Sequence, residues 1–339
     1  MKTSILDYKL PKELIAQEPI EPRDHARLMV VDRKGGSIIH DYFYNLDRYL
    51  KDTVIVFNDS RVFPSRLDAR FTTGGKAEIL LLRKEGEGLW KCLVKPAWKF
   101  KPGKELLLKG SLRAKVIAYE GKGERKIFIF EGNNLPASDE ELKKAGQVPL
   151  PPYIKKELKD PEKYQTVYAK EEGSTAAPTA GLHFTPELIE RLKTDNEIVF
   201  ITLHVGAFTF KPIEEEEIEN HQVSEEEYEI TPYEAEIINH AIASGKKVVA
   251  VGTTTVRALE SAFKDKMIVP GKNKTNLFIY PGYKFQVVDA MITNFHLPRT
   301  TLLALVYAFG GIELMRKAYE EAIEKKYRFY SFGDAMLIL

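Results

Sequence analysis

Three of the chain's seven histidines stand where one element of structure gives way to the next. His183 lies in residues 174–186, STAAPTAGLHFTP, between a run of small residues and a helix start. Thr185 suits an N-cap, and Pro186 suits the first helical position, where a missing N–H costs nothing. His183 and Phe184 are therefore expected beside the free N–H groups of a helix N-terminus, a place that binds anions and polarises ligands. His204 ends the apolar run EIVFITLHV and is followed by Gly206. His296 follows DAMIT and precedes Pro298, Arg299 and a helix. Ligands of open α/β sheets bind beyond the carboxyl ends of strands, and an imidazole there can give or take a proton near neutral pH. Any one of the three is equally well explained as a structural loop histidine; it is their shared setting that points to a site. They form no metal motif: HExxH and CxxC are absent, and the three are far apart in sequence.

Other polar groups fall in similar settings. In VVAVGTTTVRALES an apolar run enters Gly252, then Thr253, Thr254 and Thr255, then a helix with Arg257 near its start. Glycine permits close approach, hydroxyls donate, and the helix N-terminus is positive, which suits a carboxylate, phosphate or ribose. The segment is neither a Walker loop, which needs a lysine, nor GxGxxG. Asp59 and Arg61 follow the apolar run TVIVF at an expected domain junction, where ligand clefts are common; a plain turn with a local ion pair explains them as well. Asp289, inside VVDAMIT, reads as a carboxylate within a strand, where it must be paired or functional. Asn294 ends the same run. In KCLVKPAWKFKPGK, Lys95, Lys99 and Lys101 interleave with Trp98 and Phe100. Such lysines attract phosphates and exposed aromatics stack on bases, unless the aromatics point into the domain. There is no GxSxG elbow, and Cys92 has no activating neighbours in sequence, which argues against nucleophilic acyl chemistry.

Two kinds of architecture must position these groups. Between about 66 and 130, short apolar runs (AEILLL, LWKCLV, AKVIAY, KIFIF) alternate with glycine-containing turns such as TTGGK, EGEG, KPGK and EGKG. This predicts a small all-β barrel or sandwich. From Pro186 onward helices and strands alternate. PELIERLK, TPYEAEIINHAIAS (with a capping box from Thr231 and Glu234, stopped by Gly245), TVRALESAF, and TTLLALVYAF ended by Gly310 read as helices, and another helix follows Ile312. EIVFITLHV, KVVAV, NLFIY and DAMIT read as strands, with DAMLIL as a closing strand. Because TVIVF precedes the β region, the expected fold is a discontinuous layered α/β domain, 1–61 and 152–339, with a β-barrel inserted at 62–151. The acidic run 214–219 reads as a solvated face.

The composition is that of a globular protein: 339 residues, 44% hydrophobic, 29% charged, net charge +1. Any nucleic-acid surface must therefore be local. One cysteine excludes an internal disulfide and fits a reducing compartment. The N-terminus has no signal-peptide core, and no apolar run is long enough to span a bilayer. A cytoplasmic monomer is expected.

NDSRVFPSRL, AAPTAGLHFT, ITLHVGAFTF, VGTTTVRALE and TNFHLPRTTLLALVYAFGG together resemble the S-adenosylmethionine:tRNA ribosyltransferase-isomerases of queuosine biosynthesis. The resemblance spans essentially the whole chain, in order, with no departure at these blocks. It implies the same α/β domain with an inserted barrel. It also implies transfer of the ribosyl part of S-adenosylmethionine to 7-aminomethyl-7-deazaguanine at the tRNA wobble position, with loss of adenine and methionine. S-adenosylmethionine is then a consumed co-substrate, and no metal or other cofactor is expected. That chemistry needs a base beside the sulfonium, an acid for adenine and an anion site for the methionine carboxylate. Under the resemblance, His183 and His204 are expected in proton transfer and Asp289 at the sulfonium or ribose. Thr253, Thr254, Thr255 and Arg257 are expected at the carboxylate, with Asp59, Arg61, Phe184, Gly206 and Asn294 also in substrate binding. Lys95, Trp98, Lys99, Lys101, His296 and Arg299 are expected to meet tRNA. The competing readings are a phosphoribosyltransferase-like enzyme, which lacks its paired acidic residues here, and a non-catalytic tRNA-binding module. An ordinary methyltransferase fits less well, for want of its acidic, glycine-rich loop.

Overall fold

A computed structural model describes residues 1–121, 123–207 and 211–339. Residues 208–210 of ITLHVGAFTF and Lys122 of the turn EGKG lie outside the described residues. The chain divides into two compact units, Met1–Arg61 with Pro151–Leu339, and Val62–Leu150. The first is a layered α/β unit; the second is a β-barrel that also carries one short helix, Asp139–Ala145, where an all-β unit was expected.

The α/β unit is built on a mixed nine-stranded sheet. Its order is Gly271–Thr275, Glu226–Ile230, Glu197–Leu203, Thr53–Asn58, Lys247–Val251, Ala290–Asn294, Ala335–Ile338, Arg27–Asp32, Ser37–Tyr42. The four strands from Glu197–Leu203 to Ala290–Asn294 run parallel. Thr53–Asn58 is buried along its whole length, which is why TVIVF is continuously apolar: both faces of a parallel sheet are covered. Val54 and Val56 point into one core layer, with Ile238, Leu259 and Tyr319. Ile55 and Phe57 point into the other, with Phe43, Phe184 and Leu188. The alternation is the period-2 geometry of a strand.

Helix ends follow local chemistry. Thr185 Oγ1 accepts the Leu188 N–H at 3.2 Å and starts Pro186–Lys193. Thr231 and Glu234 form a reciprocal capping box ahead of Pro232–Ser244.

Two expectations for the α/β unit are corrected. NLFIY is not a strand; residues 276–280 are irregular, and the preceding Gly271–Thr275 forms the edge strand. Its lysines face the glutamates of Glu226–Ile230, with Lys272 Nζ 3.1 Å from Glu229 Oε2. The apolar residues Leu277, Phe278 and Tyr280 instead pack on the core. Helix Thr301–Gly310 runs through Gly310 and stops at Gly311, whose φ of 82° cannot continue a right-handed helix. DAMLIL forms the expected closing strand, Ala335–Ile338, which sits between Ala290–Asn294 and Arg27–Asp32. RLMVVDRKGGSIIHDY, not anticipated as strands, is an antiparallel hairpin turning through its glycine pair.

In the barrel unit, Arg66–Phe71, Lys76–Gly86, Leu89–Lys95, Glu105–Leu107, Arg113–Tyr119 and Glu124–Glu131 close on themselves. Closure comes from Glu124–Glu131, which pairs with both Leu89–Lys95 and Arg113–Tyr119. Leu67, Ile79, Cys92, Leu106, Val116 and Ile127 fill the interior. Burial pushes the Cys92 thiol pKa up, so this cysteine is a small core residue rather than a nucleophile. No helix among the described residues is long and apolar enough to cross a membrane.

Candidate functional site

The carboxyl ends of the parallel strands open into a cleft in the α/β unit. Four stretches of sequence line it: Ala177, Pro178, Thr179 and Ala180; Val205; Gly252, Thr253 and Thr254; and Thr293, Asn294, His296 and Leu302. Its empty space is about 370 Å³, part of it open to solvent. Gly252 is the N-cap of helix Thr253–Ala262 and supplies no side-chain cap. The first N–H groups of that helix are thus left for a ligand. Thr254 is held by Asn58, whose Nδ2 donates to Thr254 Oγ1 at 3.2 Å and to Leu203 O at 3.0 Å. Asn58 Oδ1 accepts from Leu203 N and Ser60 N. One buried carboxamide therefore ties together the ends of three adjacent strands. The hydroxyl of Thr255 turns away and donates to Val251 O at 2.7 Å, so Thr255 does not line the cleft.

Of the three histidines only His296 lines the cleft. Its Nε2 lies 2.8 Å from Thr293 Oγ1, its N–H donates to Tyr319 Oη at 3.0 Å, and its carbonyl accepts from Tyr8 Oη. Burial lowers its pKa to about 3, so the ring is neutral. It is only 5% exposed, a cleft-wall position rather than an open surface one. His183 stands behind the wall: its Nε2 is 3.2 Å from Asn294 Oδ1 and its ring packs on Phe43. It does not sit at the open helix N-terminus expected for it. Burial lowers its pKa to about 4. His204 is half-buried on the exit of strand Glu197–Leu203. Its Nδ1 is 3.0 Å from Ser60 Oγ, which is 2.5 Å from Ser174 Oγ. Ser174 Oγ also accepts the Val205 N–H, so Val205, Ser174, Ser60 and His204 form one continuous hydrogen-bonded chain. Burial lowers the His204 pKa below the ordinary imidazole value. A Cβ on Gly173 would come within 2.8 Å of this ring, so glycine is required for the seat.

Several expected residues lie elsewhere. Asp289 is exposed and precedes strand Ala290–Asn294, where its carboxylate accepts the Val248 N–H at 2.9 Å. It stands at the amino end of a strand whose carboxyl end meets the cleft, about 16 Å away at roughly 3.3 Å per residue. Phe184 is fully buried against Phe43 and Phe57, a core residue with no face for substrate. Asp59 and Arg61 do not pair: Asp59 accepts from Thr202 Oγ1 at 2.7 Å, with burial raising its pKa, and Arg61 pairs with Glu162. Neither lines the cleft. Arg257 pairs with Glu226 and donates from Nε to Leu277 O, while its buried NH2 group has no partner among the described residues. Gly206 N–H donates to the same Glu226 at 2.8 Å. Arg299, at φ 57°, lies 3.6 Å from Asp7. In the barrel unit Lys95 and Lys101 are exposed, and Trp98 is 73% exposed beside Lys99, whereas Phe100 is buried.

Val205, Thr293 and Glu226 were not assigned from sequence, and Asn58 stood in the candidate segment 58–61 without a role of its own. Asn58 had a signal, a lone polar residue closing an apolar run. Glu226 had one too, since alternation in EEYEI places it on the buried face with Tyr228 and Ile230. Among the described residues no group of three or more His, Cys, Asp or Glu side chains is placed to hold a metal ion.

Residues 3–338 match the family model described as queuosine biosynthesis protein. The chain is 50% identical over 345 residues to the S-adenosylmethionine:tRNA ribosyltransferase-isomerase of Caldanaerobacter subterraneus subsp. tengcongensis, covering all of both chains. It is 51% identical over 341 residues to that of Thermotoga petrophila, again over all of both. A crystal structure of S-adenosylmethionine tRNA ribosyltransferase from Thermotoga maritima matches with a TM-score of 0.55 and 39% identity, over 99% of this chain and 100% of that one. A family model over nearly the whole length and full-length relatives at half identity make this chain an enzyme of the S-adenosylmethionine:tRNA ribosyltransferase-isomerase family of queuosine biosynthesis.

Proposed function

We propose that the enzyme moves the ribosyl part of S-adenosylmethionine onto the aminomethyl group of 7-aminomethyl-7-deazaguanine at the tRNA wobble position. Adenine and methionine leave, one proton is released overall, and the sugar becomes an epoxycyclopentanediol, giving epoxyqueuosine in tRNA. S-adenosylmethionine is consumed and no other cofactor takes part. The observation that carries this reading is the convergence of four separate sequence blocks on one cleft at the strand ends.

The cleft suits the parts of S-adenosylmethionine. The uncapped first turn of helix Thr253–Ala262 offers N–H groups to the methionine carboxylate. The hydroxyls of Thr253 and Thr254 suit the ribose. His296, neutral and on the wall, is the group we assign to hydrogen-bonding the bound substrate. His183 acts through Asn294 as a positioning residue. The wobble base is read with the anticodon loop splayed, since RNA bases are recognised best when unstacked.

The test is to incubate the protein with S-adenosylmethionine and tRNA carrying 7-aminomethyl-7-deazaguanine, following free adenine and the mass of the modified nucleoside. Adenine release coupled to the epoxyqueuosine mass supports the reading. A folded protein that releases no adenine and leaves the nucleoside unchanged rejects it.

A further inference from the structure

We propose that the barrel unit carries a docking platform for a looped, single-stranded segment of the tRNA substrate, made of Trp98 and Tyr119 together with Lys95, Lys99, Lys101 and Lys104 of the Trp98 loop. The identity of the RNA rests on the ribosyl-transfer reading; the platform rests on the geometry of the barrel alone.

Trp98 is 73% exposed and Tyr119 58% exposed, whereas Trp90 and Phe100 of the same unit are buried. Two large aromatic side chains left in water are what a stacking surface presents. Arg125, itself only 6% exposed, links their surroundings. Its Nε donates to Phe100 O and its NH2 group to Ala97 O, both at 2.7 Å, which fixes the backbone on either side of Trp98. The same guanidinium lies 4.5 Å from the centre of the Tyr119 ring. One buried arginine therefore braces the Trp98 loop and lies against the Tyr119 ring. The loop is further zipped to strand Arg113–Tyr119: Gly103 N–H donates to Val116 O, and Val116 N–H donates to Lys104 O.

Charge points the same way. Lys84, Lys91, Lys115 and Lys126 of the barrel unit each pair with a carboxylate. Lys95, Lys99, Lys101 and Lys104, like Lys76, Lys109 and Lys144 elsewhere in the unit, show no carboxylate partner among the described residues; the four on the Trp98 loop lie within ten residues of sequence, and Lys99 Nζ stands 5.0 Å from the Trp98 ring centre. Unpaired cations beside exposed rings match phosphates and unstacked bases together. The net charge of only +1 makes such a local concentration the means by which this chain can attract a polyanion.

The full-length protein tests this. Binding of fluorescent tRNA is followed by anisotropy at several salt concentrations for the wild type, Trp98→Ala, Tyr119→Ser and the pair Lys99→Gln with Lys101→Gln. S-adenosylmethionine affinity and Tm serve as controls that the α/β unit and the fold are intact. Trp98→Ala is expected to weaken tRNA binding about 5- to 100-fold. The lysine pair is expected to flatten the slope of log K against log salt by about 1 to 2. A duplex RNA of similar length should compete more weakly than a stem-loop. Variants that bind tRNA with wild-type affinity and salt slope overturn the platform, as does duplex RNA competing equally well. These outcomes are separate from the fate of the ribosyl-transfer reading. That reading fails when the wild type releases no adenine, whatever the barrel binds.

Discussion

His183 Nε2 lies 3.2 Å from Asn294 Oδ1, and this contact fixes the position of the imidazole proton. Asn294 Nδ2 donates to two carbonyls, Tyr330 O at 2.9 Å and Ser331 O at 3.3 Å. The amide orientation is thereby set, and Oδ1 is left as an acceptor. A neutral His183 must then carry its hydrogen on Nε2 and leave Nδ1 bare. In ¹⁵N-histidine spectra the His183 pair, identified by its loss in His183→Ala, should show a protonated Nε2 and an unprotonated Nδ1 near neutral pH. The reverse tautomer would show that this hydrogen bond does not exist in solution.

The same network predicts the effect of one isosteric change. Asn294→Asp puts a carboxylate oxygen against the carbonyls of Tyr330 and Ser331, where two hydrogen bonds stood. Repulsion and lost bonds in a buried site cost about 2 to 4 kcal/mol. The Tm should drop, and S-adenosylmethionine affinity with it, because Asn294 lines the cleft. An unchanged Tm would mean that the amide is not held as described.

Stability should fall on mild acidification. Burial holds the native pKa of His183 at about 4, below its ordinary 6.5, and that of His296 at about 3. As pH drops through 6.5 the unfolded chain takes up protons that the native protein refuses. The stability is thus fully present above about 6.5 and lost progressively toward 4. For His183 alone the shift corresponds to about 3 kcal/mol. Urea midpoints at pH 7.5 and 5.0 should differ in that direction, and His183→Gln should reduce the difference. Equal midpoints at the two pH values would contradict the neutral, desolvated state.

The Glu226–Arg257 pair is buried, with side chains 4% and 11% exposed. Breaking it from one side strands a charge, which costs about 3 to 5 kcal/mol. Glu226→Gln should therefore destabilise strongly. Adding Arg257→Met to Glu226→Leu should cost less than the sum of the single changes, giving a coupling of about 2 kcal/mol in a denaturation cycle. Strict additivity would mean that the two groups do not interact.

What was legible in the sequence was local. The caps at Thr185 and Thr231, the strand KVVAV and the helix PELIERLK depend on neighbours within a few residues, and the structure has them. NLFIY misled because a short apolar run packs as well in an irregular stretch as in a strand. Asp289 misled because Val287 and Val288 are buried beside it while its own side chain points to water at the start of the strand. The strand ends and glycine turns of the cleft were recognisable by residue type, but which side chains face it was not. Thr253 and Thr254 line the cleft and Thr255 does not, a difference of register on one helix turn. The partnership of His183 with Asn294 spans 111 residues of sequence, and only the folded sheet brings them together.

Gly252 gives a prediction that separates site from scaffold. Its backbone, φ 92° and ψ 152°, occupies a region essentially reserved for glycine. An added Cβ would find room, at 3.5 Å from Ala180 Cβ, so the cost of Gly252→Ala is in the backbone and amounts to about 1 to 3 kcal/mol. The backbone can relieve this only by rotating the first turn of helix Thr253–Ala262, which carries the N–H groups assigned to the methionine carboxylate. S-adenosylmethionine affinity should therefore fall at least about tenfold, along with the Tm. Gly245→Ala is the control. Gly245 ends helix Pro232–Ser244 at φ 72° and lines no part of the cleft, so its replacement should lower the Tm and leave affinity intact. Calorimetric titration of both variants decides the matter. Equal affinity losses would mean that Gly252 matters only for folding, and full affinity in Gly252→Ala would remove this helix N-terminus from the binding site.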